Sequence, residues 1–174
     1  YMLQTNVVYA GMDINEISNL DIKNSAYTVD FYLWFRYRGD FDPDNIEFIN
    51  IKGKTDLGEP IIHDVIDGIT HKLYRVKTEF IGDFSFYDYP FDQQDVEIKF
   101  RHVSMTRDQL LYVVDVVGIR QTTSQDILAK FDRAQVLDAI DTWEATTVKF
   151  FQDSLHNEST LGSPHFFDTV SDIE

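Results

Sequence analysis

The chain has 174 residues, 43% of them hydrophobic and 14% aromatic, with 15 basic against 30 acidic side chains and a formal net charge of −15. That length supports one domain with a full core, and that apolar content excludes global disorder. The acidic balance argues against a nucleic-acid partner, which needs a basic stripe, and the absence of cysteine excludes disulfides and thiolate chemistry.

Residues 7–17 (VVYAGMDINEI) form a candidate strand of mixed pattern, and 19–24 read as a polar connector with turn residues. Residues 25–38 (SAYTVDFYLWFRYR) make the strongest strand, dense in β-branched and aromatic side chains. One face carries Tyr27, Val29, Phe31, Leu33, Phe35 and Tyr37. The other carries Thr28, Asp30, Tyr32, Trp34, Arg36 and Arg38, an amphipathic set suited to a subunit interface. The next stretch, 39–50 (GDFDPDNIEFIN), brings Asp40, Asp42 and Asp44 into one loop. Calcium takes about six to eight oxygens, often from such clusters, so a calcium site stands here beside the simpler reading of a solvated acidic turn.

Residues 61–67 and 69–80 read as two strands joined by Asp67-Gly68, a strong hairpin signal. From 80 to 102 the chain reads FIGDFSFYDYPFDQQDVEIKFRH. Its ends alternate like half-buried strands, with Val96, Ile98 and Phe100 opposed to Glu97, Lys99 and Arg101. The aromatic, proline-centred stretch between them is too long for a tight hairpin turn. Residues 110–119 (LLYVVDVVGI) read as a buried strand, 124–130 as a short helix with a Ser cap and Ile127, Leu128 and Phe131 as its apolar side, and 143–151 (WEATTVKFF) as a further strand. Residues 152–164 form a long polar loop, and the last ten residues are weakly patterned. About nine strands with this spacing predict an all-β sandwich. No apolar run approaches the ~20 residues of a membrane helix, so the sequence reads as a soluble piece.

Tyr89-Pro90-Phe91-Asp92-Gln93-Gln94 resembles the aromatic-Pro-Phe-Asp-x-Gln signature of the Cys-loop receptors, the pentameric ligand-gated ion channels. In animal members two cysteines flank this loop. Gly82 and Val96 stand at those positions, so the likeness is to the bacterial branch, which lacks them. Phe41-x-Pro43-Asp44 is similar to the family's Trp-x-Pro-Asp motif, and Leu161-Gly162-x-Pro164 also resembles bacterial members. The resemblance covers roughly residues 7 to 164. It implies a twisted immunoglobulin-like β-sandwich of about ten strands, of the nicotinic-receptor ligand-binding-domain kind, with its last strand incomplete. Residues 1–174 would be a single extracellular or periplasmic domain. The membrane channel would lie outside this sequence, and five copies would form a homopentamer in the cell membrane.

The family's ligand site lies between subunits. Carried over by position, Phe48 belongs to the first principal loop, His102, Val103 and Arg107 to the second, and His156 to the capping loop 152–164, with the ligand-binding candidate Phe151 just before it. Tyr32, Trp34, Arg36 and Tyr74 fall on the complementary strands. A cage of aromatics holds a cation through ring quadrupoles. Val103 stands where amine receptors carry Trp, and Arg36 or Arg107 offers a partner for a carboxylate, so the ligand class is a small molecule or a cation. Leu20, Asp21 and Ile22, with Tyr89, Pro90, Phe91 and Asp92, match the two loops that press on the channel and transmit a tilt of the sandwich. No cofactor is expected beyond the possible calcium. Gly-x-Ser-x-Gly, His-Glu-x-x-His and phosphate-loop motifs are all missing, so no enzyme is expected. The alternatives are a soluble ligand-binding sandwich attached to no channel and a β-sandwich hydrolase with converging carboxylates.

Overall fold

The computed structural model describes residues 5–84, 93–120, 123–140, 143–150, 152–155 and 170–173. The elements run β1 (Asn6–Asp21), β2 (Ala26–Tyr37), β3 (Ile46–Phe48), β4 (Ile62–Ile66), β5 (Ile69–Ile81), β6 (Phe100–Thr106), β7 (Leu110–Val114), α1 (Val116–Ile119), α2 (Ser124–Ala134), β8 (Gln152–Leu155) and β9 (Val170–Ile173). The chain is mostly β, arranged like a sandwich of two sheets. One sheet has the order β4-β5-β2-β1-β7 and the other β3-β6-β9-β8.

β2 is the central strand, and its alternation decides the packing. Tyr27, Val29, Phe31, Leu33, Phe35 and Tyr37 are all buried, while Tyr32, Trp34 and Arg36 on the opposite face are half-exposed. Antiparallel pairing with β1 and β5 sets the register, with Tyr32 beside Asp13 and Arg75 and Trp34 beside Gly11 and Leu73. Aromatic edges knit the two sheets together. Phe48 meets Phe31 and Phe80 edge-on, and Phe100 meets Phe35 and Tyr112 the same way. Each such pair adds about 0.5–1.5 kcal/mol beyond the area it buries. The β4–β5 hairpin turns at Asp67 and Gly68, both with positive φ (52° and 74°), the backbone a type I′ turn requires.

Five expectations need correction. β1 runs on to Asp21, through much of the predicted connector, because Ser18 and Asp21 still pair with Thr28 and Ala26. Residues 96–99 alternate but lie in no strand; side chains take the Glu97 amide and carbonyl and the Lys99 amide, while the Lys99 carbonyl accepts from the Ile49 amide. The Tyr27 hydroxyl donates to the Glu97 carbonyl and accepts from the Glu97 amide, and Asn50 Oδ1 accepts from the Lys99 amide. The strand β6 begins at Phe100 and absorbs His102–Thr106, which the sequence places in a loop. The apolar run 110–119 breaks at Asp115. β7 ends at Val114, and the Asp115 carboxylate caps α1 by accepting from the Gly118 amide. Residues 143–150 form no strand. Ser124 Oγ instead accepts from the Val148 amide and donates to its carbonyl.

Three further elements differ in extent or place. The predicted helix extends beyond Lys130 to Ala134, capped by Thr123 and burying Ile127 and Phe131. β8 lies in the stretch read as polar loop, and β9 in the weakly patterned end, so the described residues hold nine strands.

Candidate functional site

The outward face of β2 carries Tyr32, Trp34 and Arg36, and a single carboxylate organises the last two. Asp115 is 1% exposed. It accepts from Trp34 Nε1 at 2.8 Å, Arg36 Nε at 2.8 Å, Arg36 Nη2 at 2.5 Å and the Gly118 amide at 3.1 Å. Burial raises its pKa, but the bonds from Arg36, Trp34 and Gly118 outweigh that, so the carboxyl lies below its ordinary value. The Trp34 ring covers Gly11, where a Cβ would fall 2.2 Å from the ring. Glycine is therefore the one residue that lets the indole cross β1 there. Arg36 presents its fork to Asp115, so Nε and Nη2 are not open to a carboxylate ligand.

Next along the face, Arg75 binds Asp30 through Nε and Nη2 at 3.1 and 2.9 Å and lies over the Tyr32 ring at 5.8 Å. The Arg75 pair, with help from Asn15, holds the Asp30 carboxyl below its ordinary value against a smaller opposing effect of burial. Tyr32 therefore already carries a guanidinium on one face.

Phe48 and Tyr74 point away from this surface. Both are buried in the core, Tyr74 against Phe35 and Phe48 against Phe31, Phe80 and Phe100. Tyr74 donates its hydroxyl to Asp44, and Lys72 Nζ binds both Asp44 oxygens at 3.1 and 3.0 Å. Burial raises the Asp44 pKa, and the Tyr74 and Lys72 bonds bring it below the ordinary value. Asp44 is thus engaged by its neighbours, while Asp40 and Asp42 stand exposed. Among the described residues no group of three or more His, Asp or Glu converges as metal ligands.

His102 is buried at 3% exposure and is a brace for the Asp40–Asp44 loop. Its Nδ1 accepts from the Ser104 and Met105 amides at 3.1 and 2.9 Å. The hydrogen therefore sits on Nε2, which donates to the Asp42 carbonyl at 3.0 Å. Tyr112 donates to the Pro43 carbonyl at 2.5 Å, pinning the same loop. Val103 and Arg107 are exposed, on and just beyond β6. Phe151 and His156 lie outside the residues whose side chains are described.

Of the two predicted coupling loops, one is in view. Asp21 holds its own turn by accepting from the Asn24 amide at 3.1 Å and from Asn24 Nδ2 at 2.7 Å, and these bonds lower its pKa. Ile22 is exposed and Leu20 half-buried. Tyr89, Pro90, Phe91 and Asp92 lie outside the described residues, but the start of their loop is anchored here. Ile81 pairs with Ala26, the Gly82 amide donates to the Ser25 carbonyl at 2.7 Å, and the Phe84 ring stacks on Tyr27 at 5.9 Å.

Sequence reasoning missed Asp115, Asp30, Lys72 and Arg75 as organisers. The signal for Asp115 was present: one carboxylate inside an otherwise apolar ten-residue run, where burial demands partners. The other three look like ordinary outward charges in sequence. No family model matches the chain, and no curated protein matches it.

Proposed function

We propose that this chain is the ligand-binding domain of a bacterial pentameric ligand-gated ion channel, with the twisted immunoglobulin-like sandwich of that family. One observation carries the reading. The connector after β1 and the loop that leads to Tyr89-Pro90-Phe91-Asp92 leave the sandwich side by side, joined by the Gly82–Ser25 hydrogen bond and the Ile81–Ala26 pair. These are the two loops that the motif assigns to coupling. A shared end is what transmission to one membrane domain requires, because a tilt of β1 and β2 then moves both together.

The surface supports assembly of copies head to tail. Ile61, Val65 and Ile66 are 57–68% exposed along the β4 edge of the large sheet. Val7, Tyr9, Val116 and Val117 are exposed at its other end, beside β7. Two unlike apolar patches at opposite ends of one sheet suit a heterologous contact, the kind that closes rings. The ligand would lie at that contact, with Tyr32 and Trp34 on the complementary side and Val103 and Arg107 on the principal side. Asp115 withdraws two Arg36 donors, which favours a cation or neutral molecule over a carboxylate at that residue.

The coding sequence beyond Glu174 tests the reading. Four apolar segments of about 20 residues, preceded by a strand ending in arginine, support it. A stop codon or a second soluble domain there sinks it and leaves a ligand-binding sandwich that gates nothing.

A further inference from the structure

At the end of the sandwich where Leu20 and Phe84 lie, the core opens into a cavity of about 620 Å³. Folded interiors hold few voids larger than a water molecule, whereas small-molecule pockets run to about 300–1,000 Å³. The floor is apolar and buried, formed by Met12, Ile17, Val29, Ile98 and Phe131. One wall is the segment 143–150, which pairs with no strand. It is held at Val148 by Ser124 and at Trp143 by the Ile140 carbonyl. This segment joins neither sheet, and the cavity lies between it and the apolar floor.

The charged side chains of the lining are mostly acidic. Asp95, Glu97 and Glu144 contribute carboxylates against the single ammonium of Lys149, and Glu97 is paired with Lys99 at 2.9 Å. Asp95 and Glu144 are exposed, above the buried floor. The chain as a whole carries −15, which draws cations toward any such mouth.

We propose that this cavity binds a small apolar amine, with its hydrocarbon body on the Met12–Val29–Phe131 floor and its ammonium at the rim beside Asp95 and Glu144. The site lies inside one copy of the chain and does not depend on the channel reading. Burial of the hydrocarbon provides affinity, and the rim carboxylates select cation over anion.

Calorimetric titration of the chain with phenylbutylamine, and with phenylbutanol and phenylbutyrate as neutral and anionic counterparts, tests this. The amine is expected to bind saturably at one site, at least about tenfold tighter than the carboxylate. Ala145→Trp fills the cavity from its wall and is expected to weaken amine binding at least about tenfold with an unchanged circular-dichroism spectrum. Val148→Phe serves the same purpose if the tryptophan variant does not fold. Glu144→Gln with Asp95→Asn is expected to bring amine and alcohol to equal affinity. No saturable amine binding, equal or tighter binding of the carboxylate, or undiminished binding in the filled variant overturns the proposal. Because only this chain is measured, such a failure leaves the channel reading standing.

Discussion

Replacing Asp115 with Ala removes the acceptor for four hydrogen bonds. The neutral donors, Trp34 Nε1 and the Gly118 amide, contribute about 1 kcal/mol each. Breaking a buried ion pair from one side costs about 3–5 kcal/mol when the remaining charge is trapped. Arg36 is 35% exposed, so its guanidinium turns partly to water and that figure is discounted heavily. The net expectation is a loss of about 3 kcal/mol, which for a chain of this size lowers Tm by about 6–12 °C. Asp115→Asn keeps the volume and an acceptor for Trp34 and loses the charge, so it falls about halfway.

Urea unfolding followed by circular dichroism measures both variants, and a cycle with Arg36→Gln isolates the pair. The pH dependence has a fixed sign. Because the folded carboxyl lies below the ordinary 3.8, its contribution is fully present above that value and is lost as pH falls through the folded pKa. The gap between wild type and Asp115→Asn therefore narrows in acid. An Asp115→Ala variant within about 0.5 kcal/mol of wild type refutes the clamp.

Tyr27→Phe leaves the Glu97 amide without its acceptor, and urea unfolding is expected to show a loss of about 1–3 kcal/mol. Burial, the largest cause, pushes the Tyr27 hydroxyl up to about 12, so the stability it contributes is complete below pH 10 and disappears as pH rises through 12. An ultraviolet titration with a phenol ionising near 12 in wild type and missing in Tyr27→Phe checks it. Gly11→Ala drives a methyl into the Trp34 ring and is expected to cost about 1–3 kcal/mol in the same unfolding assay, with a shifted Trp34 emission. Phe100→Ala removes a ring from the junction of Phe35, Phe48 and Tyr112 and is expected to cost about 3–5 kcal/mol; a loss under 1 kcal/mol contradicts the packing.

Strand β2 and the β4–β5 hairpin were legible because each depends on local signals. Alternation sorted Tyr27 to Tyr37 onto the core face, and Asp67-Gly68 supplied the positive φ angles of the turn. Where side chains from elsewhere compete for the backbone, the pattern misled. Residues 96–99 have a strand's period, yet Tyr27 and Asn50 take the Glu97 amide and carbonyl and the Lys99 amide. Asp115 interrupts an apolar run because Trp34 and Arg36, some 80 positions earlier, draw its carboxylate inward. Such long-range partners leave no periodic trace. The site was legible in part for the same reason. Alternation put Tyr32, Trp34 and Arg36 on the outward face, but pattern alone could not tell that Phe48 and Tyr74 serve the core.

Whether the chain gates a channel is decided by a current recording from lipid bilayers containing the full-length gene product. Ligand-evoked currents are expected, suppressed by Ile22→Asp or Asp92→Asn, while this chain carrying the same substitution binds the ligand as before. A product that never conducts, or currents indifferent to both substitutions, contradicts the channel reading.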